Sequence, residues 1–258
     1  MSLAQGAEIV KPAELTQDAF LGGRLNIAQP AKGFRAGLDS VLLGAAVSPG
    51  ATSLLDLGAG VGTASLVALS DRPELLATLV ESDPAMAALA VKNVAANGMS
   101  ARAGVLTLDL TAPGRERAAA GLLADHFTTV IANPPFYDGG TSAAPARAAA
   151  RQMPRAVLEQ WVRTAATHAA PGGEIIFIHV AAMLGDLLAA FEPRFGAITV
   201  LPLTPRDGEA AHRVLVRGIK GSGAPLTLLA SRSLHLAGGR DFQPAFDAIF
   251  RGTDRLHW

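Results

Sequence analysis

LLDLGAGVGTAS, Leu54 to Ser65, reads as a buried strand that ends beside an acid and breaks into glycines before an alanine-rich helix. Gly58, Gly60 and Gly62 stand at alternate positions. Glycines let a backbone turn sharply and approach a ligand closely. The helix that follows offers N–H groups without intrahelical partners. A dinucleotide-binding turn would space its glycines GxGxxG to seat a pyrophosphate. The spacing here is GxGxG, with Asp56 just ahead of it. That acid suits a positive or hydrogen-bond-donating ligand group better than a pyrophosphate. Alone, the triad reads equally well as a tight strand–helix turn, so its surroundings have to decide.

Outward from this turn, short apolar runs alternate with helical stretches. LLATLVES, ARAGVLTLDL, FTTVIAN and EIIFIHV read as further strands. VGTASLVALSDR, PAMAALAVKNVAANG, residues 115–124, PRAVLEQWVRTAATHAAPGG and AAMLGDLLAAFEPR read as helices. Strands joined through helices predict a mostly parallel sheet covered on both faces. GAITVLPLT and AHRVLVRGIKG follow with only the turn-rich TPRDGEA between them, which predicts an antiparallel closing pair. The expected fold is α/β and Rossmann-like, with seven strands of which the last is antiparallel. Residues 51–220 would form this core. Residues 1–50 would pack on it as short strands plus a helix, and 221–258 would complete the same domain with a strand and a short helix.

Acids recur at the predicted strand ends. Glu81 closes the second strand about twenty residues after the glycines, placed to accept hydrogen bonds from ribose hydroxyls. Asp83 lies just beyond it, and Asp109 closes the third strand, within reach of an adenine amino group. Open α/β sheets bind ligands in one crevice at the carboxyl ends of their strands. S-adenosylmethionine, which carries an ammonium group and no phosphate, suits such a set. The fourth strand runs into VIANPPFYDGG, residues 130–140. Two prolines stiffen the backbone and remove two N–H donors. The Asn133 side chain and the Pro134 carbonyl could then grip a planar amino group, with Phe136 or Tyr137 stacked on the ring that bears it.

The chain of 258 residues is half hydrophobic, enough for one well-filled core. Lys+Arg and Asp+Glu balance at 22 each, which disfavours bulk coating of a polyanion but leaves room for a local basic patch. No cysteine is present, so disulfides, thiol chemistry and cysteine-ligated metals are excluded. The six histidines lack metal-ligand spacing, and no metal is expected. The opening residues carry early acids and no long apolar run, and no membrane-length apolar span occurs, so a soluble cytoplasmic protein is expected. His179 falls in a strand and Trp161 on the apolar face of a helix; both read as structural. Trp258 is left open as frayed or tucked.

LDLGAGVG, Glu81, Asp109 and NPPFY together resemble the class I S-adenosylmethionine-dependent methyltransferases that methylate amines. LTQDAFLGGRLNIAQPAKGFRAGLDSVLLGAAV and APLTLLASRSLHLAGGRDFQPAFDAIFRG extend the likeness to the bacterial tRNA1(Val) adenine-37 N6-methyltransferase family. The resemblance implies that Asp56, Gly58, Gly60, Gly62, Glu81, Asp83, Asp109 and Asn133 surround the cofactor. It also implies that Phe34, Arg35 and Asp39 line the crevice from the N-terminal side, Arg35 and Asp39 as further cofactor residues. Asn133, Pro134, Pro135 and Phe136 would form the catalytic motif. Lys32, Phe136, Tyr137, Arg147 and Arg151 would meet a nucleic acid substrate, expected to be tRNA. Arg206, Arg213, Arg217 and Lys220, and the tail arginines Arg232, Arg240, Arg251 and Arg255, are further candidate phosphate contacts or simply a solvated face. Other acceptors in the same chemistry are ribosomal RNA, DNA and a protein glutamine. A non-catalytic RNA-binding module is the alternative of another kind.

Overall fold

The computed structural model describes residues 14–33, 35–135 and 154–258. Two antiparallel strands, β1 (Leu15–Phe20) and β2 (Leu25–Pro30), form a hairpin around the 3-10 turn Leu21–Gly23. Helix α1 (Leu38–Ala45) leads into β3 (Ser53–Leu57), whose last four residues are buried. The glycine turn then opens α2 (Thr63–Ser70), and β4 (Leu76–Glu81) follows. Helix α3 (Pro84–Ala96) starts where its N-terminal signals are strongest. Asp83 accepts hydrogen bonds from the N–H groups of Ala85 and Met86, and Pro84 occupies the first turn. After β5 (Ala103–Thr107), α4 (Gly114–Ala119) and β6 (Phe127–Ala132) come α5 (Arg155–His168) and β7 (Ala169–Val180). The chain continues through α6 (Leu184–Phe191), β8 (Phe195–Thr204) and β9 (Arg213–Lys220). It closes with β10 (Thr227–Leu228), β11 (Arg232–Ser233) and α7 (Pro244–Phe250).

The main sheet has the order β10-β8-β9-β7-β6-β3-β4-β5, with β11 also on β8. β5, β4, β3, β6 and β7 run parallel, and β9 is antiparallel between β7 and β8. The seven-stranded sheet read from the sequence is therefore present, extended at one edge by two two-residue strands parallel to β8. Alternate strand residues feed two cores. Leu54, Ile131, Ile176 and Leu215 face a cluster with α1, α2, α3, α7 and the N-terminal hairpin. Leu55, Val130, Ile175 and Val216 face a second one with α5 and α6.

Some boundaries differ from the expected ones. α4 stops at Ala119 instead of reaching residue 124, because Gly121 turns the chain with φ 88°. α5 ends at His168, and the AAPGG read as its tail is extended, with Ala169 pairing with Phe127. β5 ends at Thr107, so Asp109 lies beyond the strand end instead of closing it.

Candidate active site

The carboxyl ends of β3, β4 and β6, with the residues just after β5, open into one cavity of about 560 Å³. Its lining includes Asp56, Gly58, Gly60, Glu81, Asp83 and Asp109, and also Asn133 and Pro135. The turn after β3 is shaped by positive φ at Gly58, Gly60 and Gly62 (67°, 56° and 89°). At Gly58 a side chain is excluded on two grounds. The dihedral disfavours it, and a Cβ would come within 2.4 Å of the Trp161 ring. Glycine there lets α5 bring the outer edge of an indole against the turn and into the cavity lining. At Gly62, the last glycine of the turn, a Cβ would meet Leu79 at 2.9 Å.

β4 fixes the turn in place. The N–H of Ala59 donates to the carbonyl of Val80 at 2.9 Å, and that of Gly60 donates to Glu81 Oε2 at 2.8 Å. Glu81 Oε1 accepts the N–H of Asp83 at 2.9 Å. Glu81 thus joins the glycine turn to the start of α3 with an anionic group at the cavity wall. Asp83 is both a helix cap and a wall residue. Asp109 folds its Oδ1 onto the N–H and hydroxyl of Thr111, both at 2.8 Å, which shapes the wall beside Leu110. Asp56 lies deepest, 2% exposed, with Oδ2 accepting from the Ser65 hydroxyl at 2.7 Å. Burial pushes its carboxyl up to about 7, helped by the charge of Glu81 and opposed by hydrogen bonds from Ser65.

Asn133 follows β6 directly and lines a second, smaller hollow of about 280 Å³ as well as the large cavity. Its Oδ1 is buried and takes no hydrogen bond among the described residues. A buried amide oxygen left without a donor loses the hydrogen bonds it had in water, so it is a poised acceptor. Pro134 is buried and Pro135 is exposed at the cavity edge.

The N-terminal side contributes a strap between β2 and α1. Pro30, Lys32 and Ala36 line the large cavity. Arg35 and Asp39 do not: the structure puts both in the small hollow, with Arg213. Asp18 holds the Arg35 guanidinium at 2.6 Å, and the carbonyl of Pro30 accepts from it at 3.2 Å. Gln29, 1% exposed, locks the strap from behind, its Oε1 accepting the N–H of Ala36 at 2.8 Å and its amide donating to Asp18 at 2.6 Å. Phe34, Phe136, Tyr137, Arg147 and Arg151 lie outside the described residues.

Trp161 is the residue that sequence reasoning assigned to the core alone. It is 8% exposed and packs in the core, yet one edge of it lines the cavity. Its helical spacing carries only the core signal; the close approach of Gly58 appears only when the chain is folded. Most of the distal cations are engaged within the chain. Arg213 pairs with Asp39 at 2.9 Å, Lys220 with Asp125 at 2.5 Å and Arg255 with Asp71 at 2.6 Å. Arg251 pairs with Asp247 at 2.7 Å, and Arg217 stacks 4.6 Å from the ring of Trp258.

Sheet order, the glycine turn and the acids at successive strand ends are those of the class I S-adenosylmethionine-dependent methyltransferase fold. Residues 38–202 match the methyltransferase small-domain family, and the chain belongs to it. A crystal structure of a predicted O-methyltransferase from Agrobacterium tumefaciens is 32% identical, with a TM-score of 0.73 over 84% of this chain and 98% of that one. A tRNA1(Val) (adenine(37)-N6)-methyltransferase of Shewanella amazonensis is 37% identical over 115 residues, 44% of this chain and 46% of that protein. The match thus spans about half the length of that relative. The enzyme of the same name from Citrobacter koseri is 29% identical over 79% of this chain and 89% of its own. A release factor glutamine methyltransferase of Cereibacter sphaeroides is 26% identical over 73% of this chain and 68% of its own.

Proposed function

We propose that the protein methylates the exocyclic N6 of an adenine in tRNA, adenine 37 of tRNA1(Val) being the first candidate, with S-adenosylmethionine as donor. The observation that carries this reading is the buried Oδ1 of Asn133, without a hydrogen-bond donor among the described residues, at the junction of the two hollows. The large cavity fits the donor in size and chemistry. Its volume is in the range of cofactor sites, its floor is an indole edge, and its walls carry Asp56, Glu81 and Asp109. Asp56 would sit near the ammonium group, Glu81 would accept from the ribose hydroxyls, and Asp109 would lie at the adenine end. When bound, S-adenosylmethionine supplies an electrophilic methyl group on a sulfonium.

Asn133 and its stiff prolines supply the remaining chemistry. The amine nitrogen of adenine is a weak nucleophile because its lone pair is delocalised into the ring. Asn133 Oδ1 and the Pro134 carbonyl would hold its two hydrogens, favour the pyramidal nitrogen and stabilise the positive charge that develops. They would also orient the nitrogen toward the donor side of the junction. The surplus proton leaves to water after transfer, so no general base is needed. An anticodon-loop base is cheap to extrude because it is barely paired. The Shewanella and Citrobacter relatives support tRNA as the substrate. The release factor relative supports a second reading, the amide nitrogen of a protein glutamine, which also has two hydrogens for the same pair of acceptors.

Transfer of a labelled methyl group to total tRNA, ribosomal RNA, DNA and protein, with identification of the modified nucleoside, tests the proposal. N6-methyladenine in tRNA is expected; label in protein alone refutes it. Asn133→Ala is expected to abolish transfer while cofactor affinity, measured by calorimetry, stays close to that of the unmodified protein. Retained turnover would remove Asn133 from the role given to it.

A further inference from the structure

One wall of the large cavity is neither strand nor helix. Residues 108–113 link β5 to α4 without regular structure, and Asp109, Leu110 and Thr111 of this segment line the cavity. Asp109 is exposed, and its carboxylate bonds within the segment, to Thr111. Where that carboxylate stands therefore depends on what holds the segment, and two helices do. From α4, Arg117 Nη1 donates to the carbonyls of Leu110, at 3.3 Å, and Ala112. From α5, Thr164, 4% exposed, donates its hydroxyl to the same Leu110 carbonyl at 3.0 Å. Arg117 is fixed in turn, its Nε donating to His168 Nε2 at 3.2 Å. A guanidinium only donates, so Nε2 carries no proton, and the ring proton sits on Nδ1 and goes to the Leu123 carbonyl at 2.8 Å. Burial, with the charges of Arg117 and Lys220, holds this imidazole below its ordinary pKa against the pull of the Leu123 carbonyl and Asp125, which keeps it a neutral acceptor. Trp161, Thr164 and His168 share one buried face of α5. That face thus carries the indole at the glycine turn, an anchor of the wall and the seat of Arg117.

We infer that Arg117 and Thr164 are positioning residues for the donor's adenine: by holding the Leu110 and Ala112 carbonyls they set the Asp109 carboxylate where it accepts from the 6-amino group. The inference rests on the reading of the large cavity as the S-adenosylmethionine site with Asp109 at its adenine end. Neither side chain belongs to the cavity lining, so both act through the wall. A carboxylate only accepts, so it attracts an amino group and repels a carbonyl oxygen at the same place. How strongly it discriminates depends on the wall. A segment free to shift lets the carboxylate withdraw from an oxygen, or reach a neighbouring ring N–H, at little cost. A segment held from two helices does not. A purely structural role would instead lower affinity for every ligand of the cavity alike.

The test uses the full chain and two ligands, S-adenosylhomocysteine and S-inosylhomocysteine, in which a 6-oxo group replaces the 6-amino group. Calorimetry gives the Kd of each for the parent, Arg117→Ala, Thr164→Val and Thr164→Ser. The parent is expected to prefer the amino ligand about tenfold or more. Arg117→Ala and Thr164→Val should each cut that preference about threefold or more, chiefly by weakening the amino ligand. Thr164→Ser keeps the hydroxyl and should keep the parent's ratio. Valine has nearly the shape of threonine, so Thr164→Val tests the inference even if Arg117→Ala does not fold. A ratio that stays at the parent's value in Thr164→Val, with both ligands weakened alike or neither, overturns the inference, as does a ratio lost equally in Thr164→Ser. A folded Arg117→Ala with the parent's ratio overturns it for Arg117. A parent that binds both ligands equally removes Asp109 from the adenine end and the inference with it. A parent that binds neither refutes the cofactor reading itself, and both of these results show before any variant is made.

Discussion

Asp56 is where the physics of a single residue is most exposed. Its carboxyl is raised from 3.8 to about 7, chiefly by burial. Between those values the folded chain holds a proton that the unfolded chain has released. Stability from this group is therefore fully present at low pH, declines as pH rises from 3.8 toward about 7, and is level above that. Urea unfolding should show a midpoint that falls between about pH 4 and pH 7 more steeply in the parent than in Asp56→Asn. Cofactor binding runs the other way. A ligand ammonium near Asp56 favours the ionised carboxylate, so affinity should rise as pH rises through about 7, with a proton released on binding. Calorimetry in buffers of different ionisation enthalpy counts that proton, and Asp56→Asn should abolish the release. A pH-independent affinity with no proton released would separate Asp56 from the ammonium.

At the scale of elements, the N-terminal hairpin is held by two asparagines. Asn93 on α3 and Asn97, the residue that caps its C-terminus, lie one turn apart and behave as a substitute strand edge toward β2. Asn93 accepts the N–H of Ala28 at 2.8 Å and donates to its carbonyl at 2.9 Å; Asn97 does the same for Asn26, at 3.0 and 2.9 Å. Asn93 is 1% exposed, so Asn93→Ala leaves two backbone groups of Ala28 buried and unpaired, at a cost of about 2–4 kcal/mol. Hydrogen exchange should then accelerate across β1 and β2 well before β3 and β4. Because the strap hangs from β2, the Lys32 and Ala36 walls of the large cavity should loosen with it. Uniform exchange across the molecule would contradict this order. The alternating strands, their order-defining helices and the glycine turn were legible because burial on two faces imposes continuous apolar runs, and because turns need glycine. What the sequence concealed were partnerships across long separations. Arg213, Lys220 and Arg255 read as surface cations because their partners lie 174, 95 and 184 residues away. Arg35 and Asp39 read as cofactor residues, and their ion pairs with Asp18 and Arg213 carry no mark in the sequence. Asn93 likewise gave no signal, since an asparagine inside a helix carries no mark of the backbone it will meet.

The whole molecule is fastened at the end remote from the cavity. The last residues cross the junction of α1 and β3, where the N–H of Leu256 donates to the carbonyl of Ala45 and the indole N–H of Trp258 to that of Ala46. Arg255 binds Asp71 past the end of α2, and Arg24 of the hairpin donates to the carbonyls of Gly252 and Ser70. Beneath them Arg72, 4% exposed, caps the carbonyls of Val47, Ser48 and Ala68, while Glu174 takes the hydroxyl and N–H of Ser48. Truncation after Asp254 removes the buried Leu256, the Trp258 contacts and the Arg255 bridge, and should cost about 2–4 kcal/mol, several degrees in Tm. Cofactor affinity should change little, because none of these groups reaches the cavity. A Tm within about one degree of the parent would show that the tail carries no stability. This arrangement also sets how the protein emits light. Its two tryptophans stand at opposite ends, Trp161 under the glycine turn and Trp258 against Ala46. With Trp258→Phe, all remaining indole fluorescence comes from the cavity floor, so occupancy there becomes a spectral reading separate from the docking of the tail.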